Sequence, residues 1–148
     1  MTVKAFSFRL EAALRLRTQE LEVEQMKLQQ LLAQQARLQH ELEAVGRERK
    51  AAAEAVQAAN APSYSDLRAL ASYIIGAQAQ SIRLQSAMTD TAKAIAKQTA
   101  VVIRAEQGLK LLDKLRQKRA SEWAYEVNRE LENDSFECWI SSWNRKEP

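Results

Sequence analysis

Three glycines, two prolines and one cysteine in 148 residues leave little to break a helix or to pin a loop. The lone cysteine, Cys138, excludes an intramolecular disulfide and offers no metal cluster. Aromatic residues make up only 6% of the chain and are sparse before Trp123, so no large globular core is implied. No apolar run reaches the roughly 18 residues a membrane-spanning helix needs. The opening residues 1–10 also lack the apolar core of a secretory signal. A cytoplasmic protein is the expectation. The 22 basic and 19 acidic residues are mixed along the chain and leave a net charge of +3, which reads mainly as solvated helix faces.

Catalytic groupings are missing too. The single histidine, His40, falls on an outer helix position beside Leu38 and Leu42, where a solvated side chain is the simpler reading. Cys138 has no histidine nearby and no electropositive helix start, so it lacks what activates a nucleophile. Gly46, Gly76 and Gly108 stand singly and form no phosphate-binding loop. Carboxylate pairs such as Glu41 with Glu43, or Glu130 with Glu132, point to different helix faces. A thin pair of helices has no interior in which to shift their pKa values. The expectation is a protein that is not an enzyme and holds no cofactor and no metal.

What is present is Ala, Leu, Gln, Glu, Lys and Arg, the composition of long helices or a coiled coil. One short break divides them, at residues 60–66. Pro62 has no amide donor and pushes Ala61 out of helical geometry. Ser63 or Ser65 can then cap a new helix, with Asp66 three residues after Ser63 in capping-box spacing. The first arm, residues 1–60, carries two interleaved seven-residue series. One holds Leu14, Leu21, Leu28, Gln35, Leu42, Arg49 and Val56; the other runs from Val3 and Leu10 through Arg17, Glu24, Leu31, Leu38, Val45 and Ala52 to Ala59. After a turn over 61–66, the second arm, 67–131, restarts the pattern. Leu67, Ile74, Ser81, Met88, Ile95, Val102, Leu109, Arg116 and Trp123 form one series; Leu70, Ala77, Leu84, Thr91, Gln98, Ala105, Leu112 and Arg119 form the other. At 1.5 Å per residue such a helix would approach ~100 Å. It needs a partner for its stripe, and a sustained heptad repeat supplies a left-handed supercoil.

The fold class predicted is therefore all-α, a long antiparallel two-helix coiled-coil hairpin. With the turn near Ser63, facing residues have numbers that sum to about 126. Leu14 then meets Leu112, Leu21 meets Ala105, Leu31 meets Ile95, and Leu38 meets Met88. Leu42 meets Leu84, Ala52 meets Ile74, and Val56 meets Leu70. Gln35 faces Thr91, where a hydrogen bond could form, and Arg49 snorkels past Ala77. Val3 faces Trp123.

Two basic clusters fall at the end of the hairpin away from the turn: Arg9, Arg15 and Arg17, and Lys110, Lys114, Arg116, Lys118 and Arg119. They read either as a solubilising face or as a docking tip for an acidic surface. Nucleic acid is the weaker partner, because no aromatic platform is interleaved. Phe6, Phe8, Leu10 and Leu14 among arginines also allow a peripheral contact with a membrane surface. The tail, residues 132–148, holds Trp139 and Trp143 and lies past the first arm's reach. It is either a partner-docking segment, a helix packing back, or poorly ordered.

At the N-terminus, Phe6-Ser7-Phe8-Arg9-Leu10-Glu11, then Leu14-Arg15-Leu16-Arg17 and Glu20, resemble the opening of the FliJ family, with its aromatic-x-aromatic-basic-leucine pattern. Residues 109–119, Leu-Lys-Leu-Leu-Asp-Lys-Leu-Arg-Gln-Lys-Arg, are similar to that family's C-terminal segment. The resemblance covers roughly residues 6–131, and the Trp-rich tail departs from the pattern. FliJ proteins are the coiled-coil stalks of the bacterial flagellar type III protein export apparatus. The resemblance implies binding to and activation of a hexameric export ATPase, a link to the cytoplasmic domain of the membrane export gate, and escort of export chaperones. It further implies a location in the cytoplasm, peripheral at the inner face of the cell membrane. Carried over residue by residue, ATPase contacts fall to Phe6, Phe8, Arg9, Leu10 and Arg17 on the first arm. Leu115, Arg116, Lys118, Arg119 and Trp123 serve on the second. Gate contacts fall to Tyr73, Ala77, Gln80 and Leu84, of which Ala77 and Leu84 also belong to the seam. The equivalent stalk of a virulence injectisome, or a basic coiled coil on a membrane surface or nucleic acid, remain the alternatives.

Overall fold

The structure is a computed structural model that describes residues 4–146. Two long helices, α1 (Glu11–Ala58) and α2 (Tyr64–Lys146), pack against each other as an all-α antiparallel coiled-coil hairpin. The turn forms as its residues dictate. Asp66 N donates to Ser63 Oγ at 3.1 Å, and Ser63 N donates back to the Asp66 carboxylate at 3.2 Å. This reciprocal pair satisfies two amides that the new helix would otherwise leave bare.

The helix limits differ from the sequence expectation at three places. Residues 4–8 are not helical; α1 starts at Glu11, where Glu11 N and Leu14 N donate to the carbonyls of Phe8 and Leu10. α2 starts at Tyr64, because Ser63 rather than Ser65 takes the cap. It also does not stop at 131: residues 132–146 continue it. No glycine or proline lies between Leu131 and Lys146, so nothing in that stretch breaks the helix.

The chain divides into two compact units, one of residues 22–103 and one of residues 1–21 with 104–148. In the unit of residues 22–103, Leu38, Val45, Ala77, Thr91 and Val102 are the most buried side chains, at 6–9% exposure. Their spacing is the seam's. Thr91 does not bond Gln35 as the heptad pairing suggests; its hydroxyl donates to Ala87 O, one turn back in its own helix, at 2.8 Å. A Thr hydroxyl satisfied within its own helix needs nothing from across the seam.

Glu24, an acidic intrusion in the seam, is answered by another polar seam residue. Gln98 donates one hydrogen bond to Glu24 O at 2.9 Å and another to its carboxylate. Lys27 reaches the same carboxylate at 3.2 Å. The Gln98 bond first, then Lys27, hold the Glu24 carboxyl below its ordinary range. A carboxylate depressed in the fold adds stability above its unfolded pKa and loses it as pH falls through the folded value. Between about pH 6 and about pH 3, Glu24→Gln should therefore lose less stability than the parent chain, read from urea midpoints at each pH. Equal losses would mean that the carboxylate makes no difference.

In the unit of residues 1–21 and 104–148, the packing is anchored by Leu14, which is 9% exposed. Leu21, Leu109 and Leu112 are half-buried along the same line. Arg17 does not enter the seam; it is exposed and pairs with Glu20 at 3.2 Å on its own helix. Thr18 takes the inner position instead. A helix of 3.6 residues per turn drifts against a strict seven-residue repeat, and this one-residue shift is that drift.

Candidate docking site

The N-terminal segment is positioned by one tryptophan. Trp123 Nε1 donates to Lys4 O at 3.0 Å, and its ring lies 5.9 Å from that of Phe6. An indole is suited to this, since it offers a broad apolar face and one donor. The expected Val3–Trp123 contact lies outside the described residues; Lys4 and Phe6 are the partners found.

Beside this anchor, Ser7, Phe8, Arg9 and Leu10 line a shallow cavity together with Leu115 and Arg119. Phe8 and Leu115 are half-buried in it, and Arg9 and Arg119 are exposed. The result is an apolar floor with two guanidinium groups at its rim, a surface able to receive an apolar side chain flanked by carboxylates. Arg116 lies elsewhere. It forms an interhelical ion pair with Glu11 at 3.4 Å and helps hold the two helices in register. Arg17 is tied to Glu20, and Lys118 is exposed on α2. Of the ten residues carried over for ATPase contact, Phe8, Arg9, Leu10, Leu115 and Arg119 thus share one cavity. Phe6 and Trp123 brace its segment. Arg17, Arg116 and Lys118 do not line it.

The four residues carried over for gate contact lie in the unit of residues 22–103 and split between two faces. Tyr73 and Gln80, seven residues apart, are exposed on one file. Ala77 is buried at 6% and Leu84 is half-buried on the seam. Tyr73 borders a hollow under the turn with Ala52, Val56, Pro62 and Leu70. The heptad pattern does not announce this hollow. Its signal is the crowding of alanines at 51–53, 55, 58 and 59, which leaves space beneath the bend.

Cys138 is exposed. Among the described residues, no group of three His, Cys, Asp or Glu side chains is placed to hold a metal ion. None of the helices described is long and apolar enough to cross a membrane. Comparison of the chain with protein-family models, curated proteins and solved structures gives no match.

Proposed function

We propose that this chain is a non-enzymatic stalk of the bacterial flagellar type III protein export apparatus. It binds and activates the export ATPase ring, links the ring to the export gate and escorts export chaperones. The observation that carries this reading is the meeting of the two segments resembling FliJ. Phe8, Arg9 and Leu10 come from the N-terminal segment, Leu115 and Arg119 from α2, and together they line one cavity. A stalk has no bond to make or break. Its contribution is binding energy, delivered by an apolar patch that excludes water around charged anchors. Arg9 and Arg119 suit an acidic partner surface, and Tyr73 with Gln80 offers a second, polar-aromatic contact for the gate.

Arg119→Glu is the test substitution, because Arg119 rims the cavity and does not hold the register. Arg116→Glu would confuse the result by setting two carboxylates against each other at Glu11. With purified export ATPase, Arg119→Glu should weaken binding at least about tenfold and abolish stimulation of ATP hydrolysis, with helicity by circular dichroism unchanged. Undiminished stimulation would reject the docking site. Failure of the unaltered chain to bind or stimulate the ATPase would reject the function.

A further inference from the structure

Beyond the N-terminal segment's contacts, α2 carries a face that no described residue covers. Leu111, Lys118, Tyr125, Glu132 and Trp139 follow one another at seven-residue spacing. At 3.6 residues per turn this file lies on the side of α2 away from Leu109, Arg116 and Trp123, which face the partner segment. All five are exposed, Leu111 by 68%, Tyr125 by 69% and Trp139 by 57%. The aromatic end is organised. The Trp139 ring lies 6.2 Å from Phe136 and 5.5 Å from Trp143, so three rings form one continuous strip. Large exposed aromatic strips of this kind mark contact surfaces.

The charges on this face say what covers it. On either side of Tyr125 the order is Lys118, Glu122, then Arg129, Glu132. Turned end for end, the pattern meets its opposite: Lys118 against Glu132, and Glu122 beside Arg129. The same reversal sets Leu111 against Trp139 and the aliphatic stem of Lys114 against Phe136. A parallel copy would instead place each charge against itself, which is unfavourable. An anionic membrane surface fits poorly, because Glu130, Glu132, Asp134 and Glu137 crowd the approach to the aromatic strip.

We propose that the face of α2 from Leu111 to Trp139 pairs with the same face of a second copy of this chain, antiparallel, about a two-fold axis at Tyr125. The contact is isologous: every pairing away from the axis occurs twice. The paired stretch runs about eight helical turns, or ~42 Å.

Sedimentation equilibrium of the full chain tests this. The unaltered chain should be a dimer at tens of micromolar. Trp139→Ser should weaken dimerisation at least about a hundredfold, and Glu132→Lys about tenfold. Lys118→Glu with Glu132→Lys together should restore most of the loss, because the pair is exchanged rather than removed. All substituted positions are exposed, and unchanged helicity would show that the variants fold. A chain that stays monomeric at several hundred micromolar overturns the proposal. So does a dimer indifferent to Trp139→Ser, or a double exchange that restores nothing. Binding of a monomeric chain to phosphatidylglycerol vesicles with burial of Trp139 would overturn it in favour of a lipid contact. Trp139 lies outside the ATPase-docking set, so Trp139→Ser keeps ATPase stimulation and the two readings fail separately.

Discussion

Leu38→Ala lowers the free energy of unfolding by about 2–3 kcal/mol. Leu38 is among the most buried side chains in the unit of residues 22–103, at 9% exposure. Its loss removes about three methylene-sized groups from the seam and opens a gap against the second helix. The value sits at the low end of the range for buried leucines, because none of the described side chains is fully buried. Water reaches part of the gap and the helices can settle toward each other, which limits the cavity term. The check is urea unfolding followed by far-ultraviolet circular dichroism. Leu111→Ala, at an exposed position, should by comparison cost less than about 0.5 kcal/mol at concentrations where the chain is monomeric. Equal costs at the two positions would mean that the seam is not where the helices meet.

The opposite sign is expected at the glycines. Gly46, Gly76 and Gly108 all lie inside helices, none has a positive φ, and a Cβ built at each meets nothing within 4 Å. Alanine restricts the unfolded chain and costs no native contact, so each change should add about 0.8–1 kcal/mol. An added Cβ touches nothing within 4 Å at any of the three, so the changes share no partner. The triple variant should therefore gain about 2–3 kcal/mol, read as a higher urea midpoint with an unchanged slope. A loss at any one position would show a close approach there. Comparing the single variants would identify it.

How much of the structure is legible in the sequence follows from what kind of signal each feature leaves. The hairpin is written in a seven-residue repeat interrupted once by Pro62, and the capping pair Ser63–Asp66 is local enough to read from spacing alone. Apolar seam positions follow because a heptad sets which face is buried. Leu10, ahead of α1, and Leu67, in the first turn of α2, are exposed instead, and most of the other exceptions concern polar side chains. Gln98 reaches Glu24 diagonally, about one turn from the expected register, because a Gln side chain can span that offset. Thr91 turns to its own backbone, which a pairing rule between helices does not weigh. The repeat extends a helix over residues 4–8 that does not form there, since the indole–carbonyl bond holding them joins Trp123 to Lys4, distant in sequence. The tail's helicity is also open in the sequence. The stretch is polar apart from its rings, and its apolar strip faces away from the first helix. Of the basic residues, those that line the cavity are the outermost members of the two clusters, Arg9 and Arg119. Arg116 and Arg17 carry the same charge but are held by Glu11 and Glu20. Charge counting cannot separate a guanidinium that rims a site from one that holds the register.

The central claim is that α1 and α2 run antiparallel in a register that sets Glu11 beside Arg116, because this alignment builds the docking cavity. Crosslinking by a short bifunctional maleimide measures it directly, in a chain carrying Cys138→Ser to remove the native thiol. Glu11→Cys with Arg116→Cys should be bridged rapidly within one chain in dilute solution, resolved by electrophoresis, because the native side chains at these positions meet at 3.4 Å. Glu11→Cys with Leu109→Cys, one heptad away, should stay unbridged under the same conditions. Rapid closure of the second pair in place of the first would contradict the register and the cavity with it.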